Sequence, residues 1–313
     1  MRSPATRRRT RPHAHLAGRA LVGVAAVTAL AGCSAFSDDS ASENGDLRVA
    51  TAFYPLQYVT QRVAGDLASV ENLTQPGREP HDLELTIKET AEIADADLVV
   101  YEGGFQPTVD DAIDQSSTGE VLDVADVVDL VPFREHGVDS DETDPHFWLD
   151  PSLLADVGDA VAERLAEVDA DHADTYEANA ADLRTDLEAL DQEYADGLSG
   201  CTRHTIVVSH DAFGYLQKYG LTMEAILGLS PDSEPTPADL ARLQDLIRED
   251  GVTTVFSESL VSPAAADALA RDLHVRSEVL DPIEGLSDET ADEDYLSLMR
   301  ENLTALEKAN GCG

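Results

Sequence analysis

The hydrophobic positions of LRVATAFYPLQYVTQRVAG form a strand pattern, Leu47 to Ala52, that runs through a Pro-containing loop into an amphipathic helix. This β-loop-α unit opens the folded body. ASVENLTQPG then reads as a second strand, and a helix from about Ile87 to Ala94 feeds the strand DLVVYEG, Asp97 to Gly103. A further helix and a short strand in EVLDVADVV follow, and strands alternating with helices imply a mostly parallel sheet covered on both faces. From Pro151 to Leu198 the strand signal stops: apolar residues recur at helical spacing, with a break near Val168–Asp171. The second of these helices, Asp171 to Leu198, would be roughly 40 Å long. That exceeds what one lobe requires and suits a stiff connector. The strand-helix rhythm resumes in HTIVVSHDAFGYLQKYG, TTVFSESL and VRSEVLDPIEG and ends in a helix from Asp292 to Ala309.

With 313 residues the chain exceeds the usual span of one core, so two lobes are expected. The divisions predicted are a signal peptide over 1–32, a tether over 33–46, an N-terminal α/β lobe over 47–170, a linking helix over 171–198 and a C-terminal α/β lobe over 199–313. A faint internal echo supports the repetition. ELTIKETAEIADADLVVYEGG and PADLARLQDLIREDGVTTVFSES both read as helix, strand and acidic loop.

The N-terminal segment changes the picture of location. Its first 32 residues hold six Arg and no acid, and LVGVAAVTALAG is long enough for an export signal but too short to span a bilayer. The run ends in Leu30-Ala31-Gly32-Cys33, which resembles a bacterial lipobox and implies lipidation of Cys33; the alternative is a secretory leader that merely contains a Cys. Beyond it, SAFSDDSASENGD is polar and suited to a flexible tether. Of 21 basic residues six leave with the leader, so 15 face 62 acidic ones. This excludes nucleic-acid binding and favours solubility, and its field concentrates cations. Two cysteines remain, Cys201 and Cys312. In an oxidising compartment they are expected to pair, with free thiols or a thiolate metal site as the alternatives.

Three histidines lie at strand-to-helix or strand-to-loop transitions: His81 in GREPHDLELT, His146 in DPHFWLDP and His210 in VVSHDAFGYL. Asp281, in VLDPIEG, follows a predicted strand. Each alone is explained by a loop or capping role. Together, spaced 65, 64 and 71 residues apart, they put two candidates in each lobe, and three imidazoles with one carboxylate suit a four-coordinate Zn²⁺ site. Parallel α/β sheets bind ligands at the carboxyl ends of their strands, where His210 and Asp281 are placed. Ser209, His210 and Asp211 cannot act as a catalytic triad, because adjacent side chains diverge along a strand. Glu102 and Glu258 end their strands in similar contexts, with structural roles as the plainer reading beside a supporting role in the cleft.

These motifs, GREPHDLELT, DPHFWLDP, SHDAFGYL and LDPIEGL together with GLSPDSEPTPADL, resemble the metal-specific solute-binding lipoproteins of ABC importers, the zinc/manganese-binding cluster A-I or ZnuA-like family. The resemblance extends over essentially the whole chain after the leader. It implies two Rossmann-like α/β lobes with mostly parallel sheets, joined by one long rigid helix, and a metal in the interlobe cleft held by His81, His146, His210 and Asp281. It also implies a non-enzymatic, monomeric protein anchored on the outer face of the cell membrane, with an importer permease and its ATPase as partners. His at the third ligand position favours zinc over manganese or iron; a zinc hydrolase and a surface adhesin are the rival classes, the first without HExxH, G-x-S-x-G or phosphate-loop signatures. Two departures from the zinc-type pattern stand out. The usual His-rich loop is reduced to FREHGVDSDETDP, where His136, Asp141 and Glu142 are candidates for transient metal sampling against a plain reading as a mobile acidic loop. Pro80 stands where some relatives carry an added Glu ligand, leaving open whether Glu79 substitutes.

Overall fold

The computed structural model describes residues 47–135 and 138–313, excluding the side chains of residues 134–141. Cys33, the leader, the tether and His136 lie outside the described residues, as does the side chain of Asp141. The folded body is one compact unit, Asn44–Gly313.

Its first half alternates β1 (Leu47–Thr51), α1 (Tyr54–Ala64), β2 (Ala68–Asn72), α2 (Ile87–Asp95), β3 (Leu98–Tyr101), α3 (Pro107–Ser116) and β4 (Glu120–Asp123). A hairpin follows, β5 (Pro132–Glu135) and β6 (Val138–Thr143), and then the helices α4 (Pro151–Val168) and α5 (Ala173–Leu198). The second half contains β7 (Thr205–Val208), β8 (Thr222–Ala225), α6 (Pro237–Glu249), β9 (Thr254–Ser257), α7 (Ala264–Leu273), β10 (Arg276–Val279) and α8 (Tyr295–Asn310). Each half builds a parallel four-stranded sheet, in the orders β2-β1-β3-β4 and β8-β7-β9-β10. The two orders are the same when β7 is counted as the first strand. The sequence echo is therefore a repeat of topology: α2 and α6 both open with a capping box, Thr86 with Glu89 and Thr236 with Asp239, and both feed the third strand of their sheet.

The local reasons for these elements are visible in the sequence. In α1, Pro55 occupies the first turn, Leu56, Val59 and Val63 share the buried stripe, and Gly65 ends the helix at φ 57°. The expected break between α4 and α5 is a short 3₁₀ turn, Ala170–His172, pinned where Asp169 accepts hydrogen bonds from the Tyr176 hydroxyl and the His172 ring. Along α5 the buried residues are Tyr176, Ala180, Leu183, Leu187, Leu190, Tyr194 and Leu198. This single seam runs the full length of the helix, roughly 39 Å at 1.5 Å per residue. It packs on α1 and α4 in the first half and on α8 in the second. Leu183 lies against Gly158 of α4, while the Tyr194 hydroxyl donates to the Met299 carbonyl at 2.6 Å.

One continuous core includes β1, β3, α4, α5, β7 and α8, and a smaller cluster fills the far side of the second sheet. The expected disulfide joins Cys201 to Cys312 and ties the start of the second half to the end of α8. With its cysteines 111 positions apart in sequence, it restricts the unfolded chain by about 5 kcal/mol in the loop-entropy account.

FREHGVDSDETDP is not a plain loop. It forms the β5–β6 hairpin, held at both ends by one tyrosine: Val131 N donates to the Tyr215 hydroxyl, which donates to the Asp144 carbonyl. Phe133 is buried beneath it. The acidic sequence carries little strand signal because the residue that fixes it lies 84 positions away.

Candidate metal centre

Each sheet delivers side chains at its carboxyl edge. His81 lies on the segment between β2 and α2, where the Glu79 carboxylate accepts from the backbone N–H of both His81 and Asp82 and closes a local turn. His146 precedes a short 3₁₀ turn, Phe147–Leu149, that leads into α4. His210 lies two residues beyond β7, and Glu284 follows β10 across Asp281-Pro282-Ile283.

These four side chains converge. Their ligand atoms all lie within 4.8 Å of one another. His81 Nε2 and His210 Nε2 are each 3.3 Å from His146 Nε2, and Glu284 Oε1 is 3.3, 3.1 and 3.3 Å from the Nε2 atoms of His81, His146 and His210. A tetrahedral Zn²⁺ with bonds of about 2.0–2.1 Å has ligand-to-ligand edges of about 3.3–3.4 Å. Five of the six donor-to-donor distances fall at about that length and the sixth, His81 to His210, lies within 4.8 Å, so the four donors form a somewhat open shell around one position.

Hydrogen bonds fix which atoms point inward. His146 Nδ1 donates to Asp144 Oδ1 at 2.8 Å, and His210 Nδ1 donates to Glu258 Oε2 at 2.8 Å. The same carboxylates accept the backbone N–H of His146 and His210. With Nδ1 protonated, each Nε2 turns a lone pair toward the centre, the orientation a metal-binding imidazole needs. Those lone pairs and Glu284 would repel one another without a cation or protons among them.

The protonation tendencies agree. Burial disfavours charge on His210, but Glu258 and Glu284 outweigh it and raise its pKa well above the usual imidazole value. His146 is raised in the same way by Asp144 and Glu284. His81, lacking such a brace, is lowered by burial. Burial would raise Glu284 too, yet the surrounding imidazoles hold its carboxyl well below the usual range. Glu79 is pushed up to about 7 by burial and by the Glu284 charge.

An aromatic wall completes the enclosure. Phe105 meets the His81 ring edge-on at 4.8 Å, and Trp148 lies 5.3 Å from the His146 ring. Trp148 also ties the halves together, its indole N–H donating to the Pro282 carbonyl at 2.8 Å while its own carbonyl accepts from the Tyr295 hydroxyl.

The structure therefore brings together three predicted ligands, His81, His146 and His210, and substitutes one carboxylate for another. Asp281 is not in the group. Its Oδ1 accepts from Ile283 N at 2.7 Å and its Oδ2 from the Ser259 hydroxyl, so it shapes the turn instead. Ile283 takes the left-handed conformation at φ 59°, and this reversal sends Glu284 inward. The missed signal was turn chemistry: Asp before Pro at a strand end bonds its own backbone two residues on, which occupies the side chain. Glu142 lies outside the four-donor group, on the wall of a cavity that opens beside His81.

Similarity to known proteins is extensive. Residues 49–309 match the family described as zinc-uptake complex component A, periplasmic (ZnuA). The zinc-binding lipoprotein AdcA of Streptococcus pneumoniae is 37% identical over 280 residues, covering 85% of this chain and 56% of AdcA, so the chain spans about half the length of that relative. The high-affinity zinc uptake system protein ZnuA of Bacillus subtilis is 35% identical over 283 residues, covering 85% of this chain and 89% of that protein. Among solved structures, the Zn(II)-bound ZnuA-like domain of Streptococcus pneumoniae AdcA superposes with a TM-score of 0.74 at 36% identity, covering 85% of this chain and 99% of that one. A mutant of the laminin-binding adhesin Lmb of Streptococcus agalactiae gives 0.78 at 31% identity, covering 84% and 99%. Alike in sequence and in fold across nearly all of its described residues, the chain belongs to the zinc-uptake complex component A (ZnuA) family.

Proposed function

We propose that this protein is an extracytoplasmic solute-binding protein that captures Zn²⁺ on His81, His146, His210 and Glu284 and delivers it to the permease and ATPase of an ABC importer. The observation that carries the reading is the convergence of three imidazoles and one carboxylate in a buried centre, with five of their six separations at about the tetrahedral edge length. Four protein donors fill a zinc coordination shell and leave no position for the water a hydrolase activates. Mn²⁺ prefers oxygen-rich, six-coordinate surroundings, which a set of three nitrogens and one oxygen does not supply.

Cys33 anchors the protein to the outer face of the membrane, and the acidic tether lets a monomeric body reach its permease. The body divides into lobes at 47–170 and 199–313 with the helix over 171–198 between them. Because the halves share a core and are cross-linked by Trp148, Tyr194 and Tyr215, release proceeds by displacement of ligand-bearing loops and not by a wide hinge opening.

Calorimetric titration of the metal-stripped body with Zn²⁺ and Mn²⁺ separately tests the reading. Tight one-to-one zinc binding, weakened sharply in His210→Ala, is the expected result. Preference for manganese would overturn the metal, and absence of tight binding would overturn the site.

A further inference from the structure

Two of the three imidazoles are aimed by a carboxylate on Nδ1, Asp144 for His146 and Glu258 for His210. His81 is held differently. The hydrogen bonds described for its ring fall on Nε2, at the centre itself, and its side chain stays 10% exposed where those of His146 and His210 are fully buried.

The backbone on either side of His81 is gripped by one short stretch, residues 105–108, at the start of α3. Gln106, 2% exposed, donates from its amide nitrogen to the Pro80 carbonyl and to the Thr74 hydroxyl, each at 3.1 Å. Because a carbonyl only accepts, the nitrogen of that amide must be the atom that faces Pro80. The Thr74 hydroxyl donates in turn to the Ala52 carbonyl at 2.7 Å, one residue beyond β1. Thr108 donates its hydroxyl to the Leu83 carbonyl, and Phe105 sets its ring edge-on against His81. Glu79 closes the His81 segment on itself, whereas Gln106 ties that segment to the sheet.

We propose that Gln106 is the positioning residue for His81, doing through the Pro80 carbonyl what Asp144 and Glu258 do through Nδ1, with Thr108 as a second anchor. The proposal rests on the zinc-capture reading of the centre. A brace on the backbone fixes where the ring stands without an anion behind it to raise its basicity. His81 is then the least basic of the three nitrogen donors, and its place in the shell depends on Gln106.

The test is chelator competition for Zn²⁺ by the metal-stripped protein in four forms: unaltered, Gln106→Met, His81→Ala and the double variant. Met fills a space like that of Gln without an N–H to donate. Gln106→Met should lose at least about tenfold in zinc affinity. In the His81→Ala background the same change should cost less than about threefold, because the side chain it acts through is gone. A general loosening of the fold would instead cost the same factor in both backgrounds. Thr108→Val carries the same cycle should Gln106→Met fail to fold, with a loss of at least about threefold that falls below about twofold without His81. A loss smaller than stated, or one that stays above the stated limit once His81 is absent, overturns the positioning role alone. An unaltered protein that binds no zinc tightly, or a His81→Ala variant that binds it as well as the unaltered one, overturns the reading of the centre and this role with it.

Discussion

Glu284→Gln and Asp281→Asn separate two carboxylates that the sequence places three residues apart and the structure assigns to different tasks. Glu284 Oε1 lies within 3.3 Å of three imidazole nitrogens, so its replacement removes one donor of four and the only anion in the set. Four-ligand zinc sites bind with about 10–16 kcal/mol, which is about 2.5–4 kcal/mol per donor. The expected loss for Glu284→Gln is therefore about 10²–10³-fold in zinc affinity, toward the lower end where the amide oxygen still ligates. Asp281→Asn leaves all four donors in place. It keeps an oxygen for Ile283 N but disturbs the acceptance from Ser259, at a cost of about 1–2 kcal/mol in folding stability and less than about fivefold in zinc affinity. Chelator competition at fixed pH gives the affinities, and thermal unfolding of the metal-free body gives the stabilities. The reasoning is refuted if Asp281→Asn loses as much zinc affinity as Glu284→Gln.

Two further outcomes follow from the site and its supports. His146 and His210 are raised in the folded state, and Glu79 and Asp211 are pushed up to about 7, so the stability these groups contribute is fully present below their unfolded pKa values and is lost as pH rises through the folded ones. Glu284 is depressed, and its contribution is present above about 4.3 and lost as pH falls through its folded value. The metal-free body should accordingly be most stable near about pH 4.3 and weaken progressively as pH rises toward 7 and beyond, whereas zinc affinity rises as protons leave Nε2; pH-series calorimetry showing zinc affinity independent of pH would exclude imidazole ligands. Tyr215→Phe strips the hydroxyl that joins both ends of the hairpin to the second half, and about 1–3 kcal/mol of stability should be lost in urea unfolding; no change would mean that the hairpin is held by Phe133 alone.

The legible part of the site comprised residues whose chemistry is nearly unambiguous. His81, His146 and His210 stood out because an acidic chain has few imidazoles and each lay at the end of a strand or the start of a helix. Glu284 was harder, because the chain is rich in carboxylates and the turn between two of them three residues apart decides which one faces the histidines. Asp144 and Glu258, which orient the imidazoles, belong to the same difficulty: one is local to its histidine, two residues away, while the other lies 48 residues away, just beyond a neighbouring strand.

By itself the sequence determined the alternation of strands and helices, the parallel character of the sheets, the long helix near Leu198 and the three histidines, because periodicity, capping residues and rare side chains are local properties. The tertiary structure decided which carboxylate meets the histidines, how an acidic segment becomes a hairpin under Tyr215, and how two sheets share one core. Each of these depends on partners brought close by the fold from distant parts of the chain, and no local pattern carries that information.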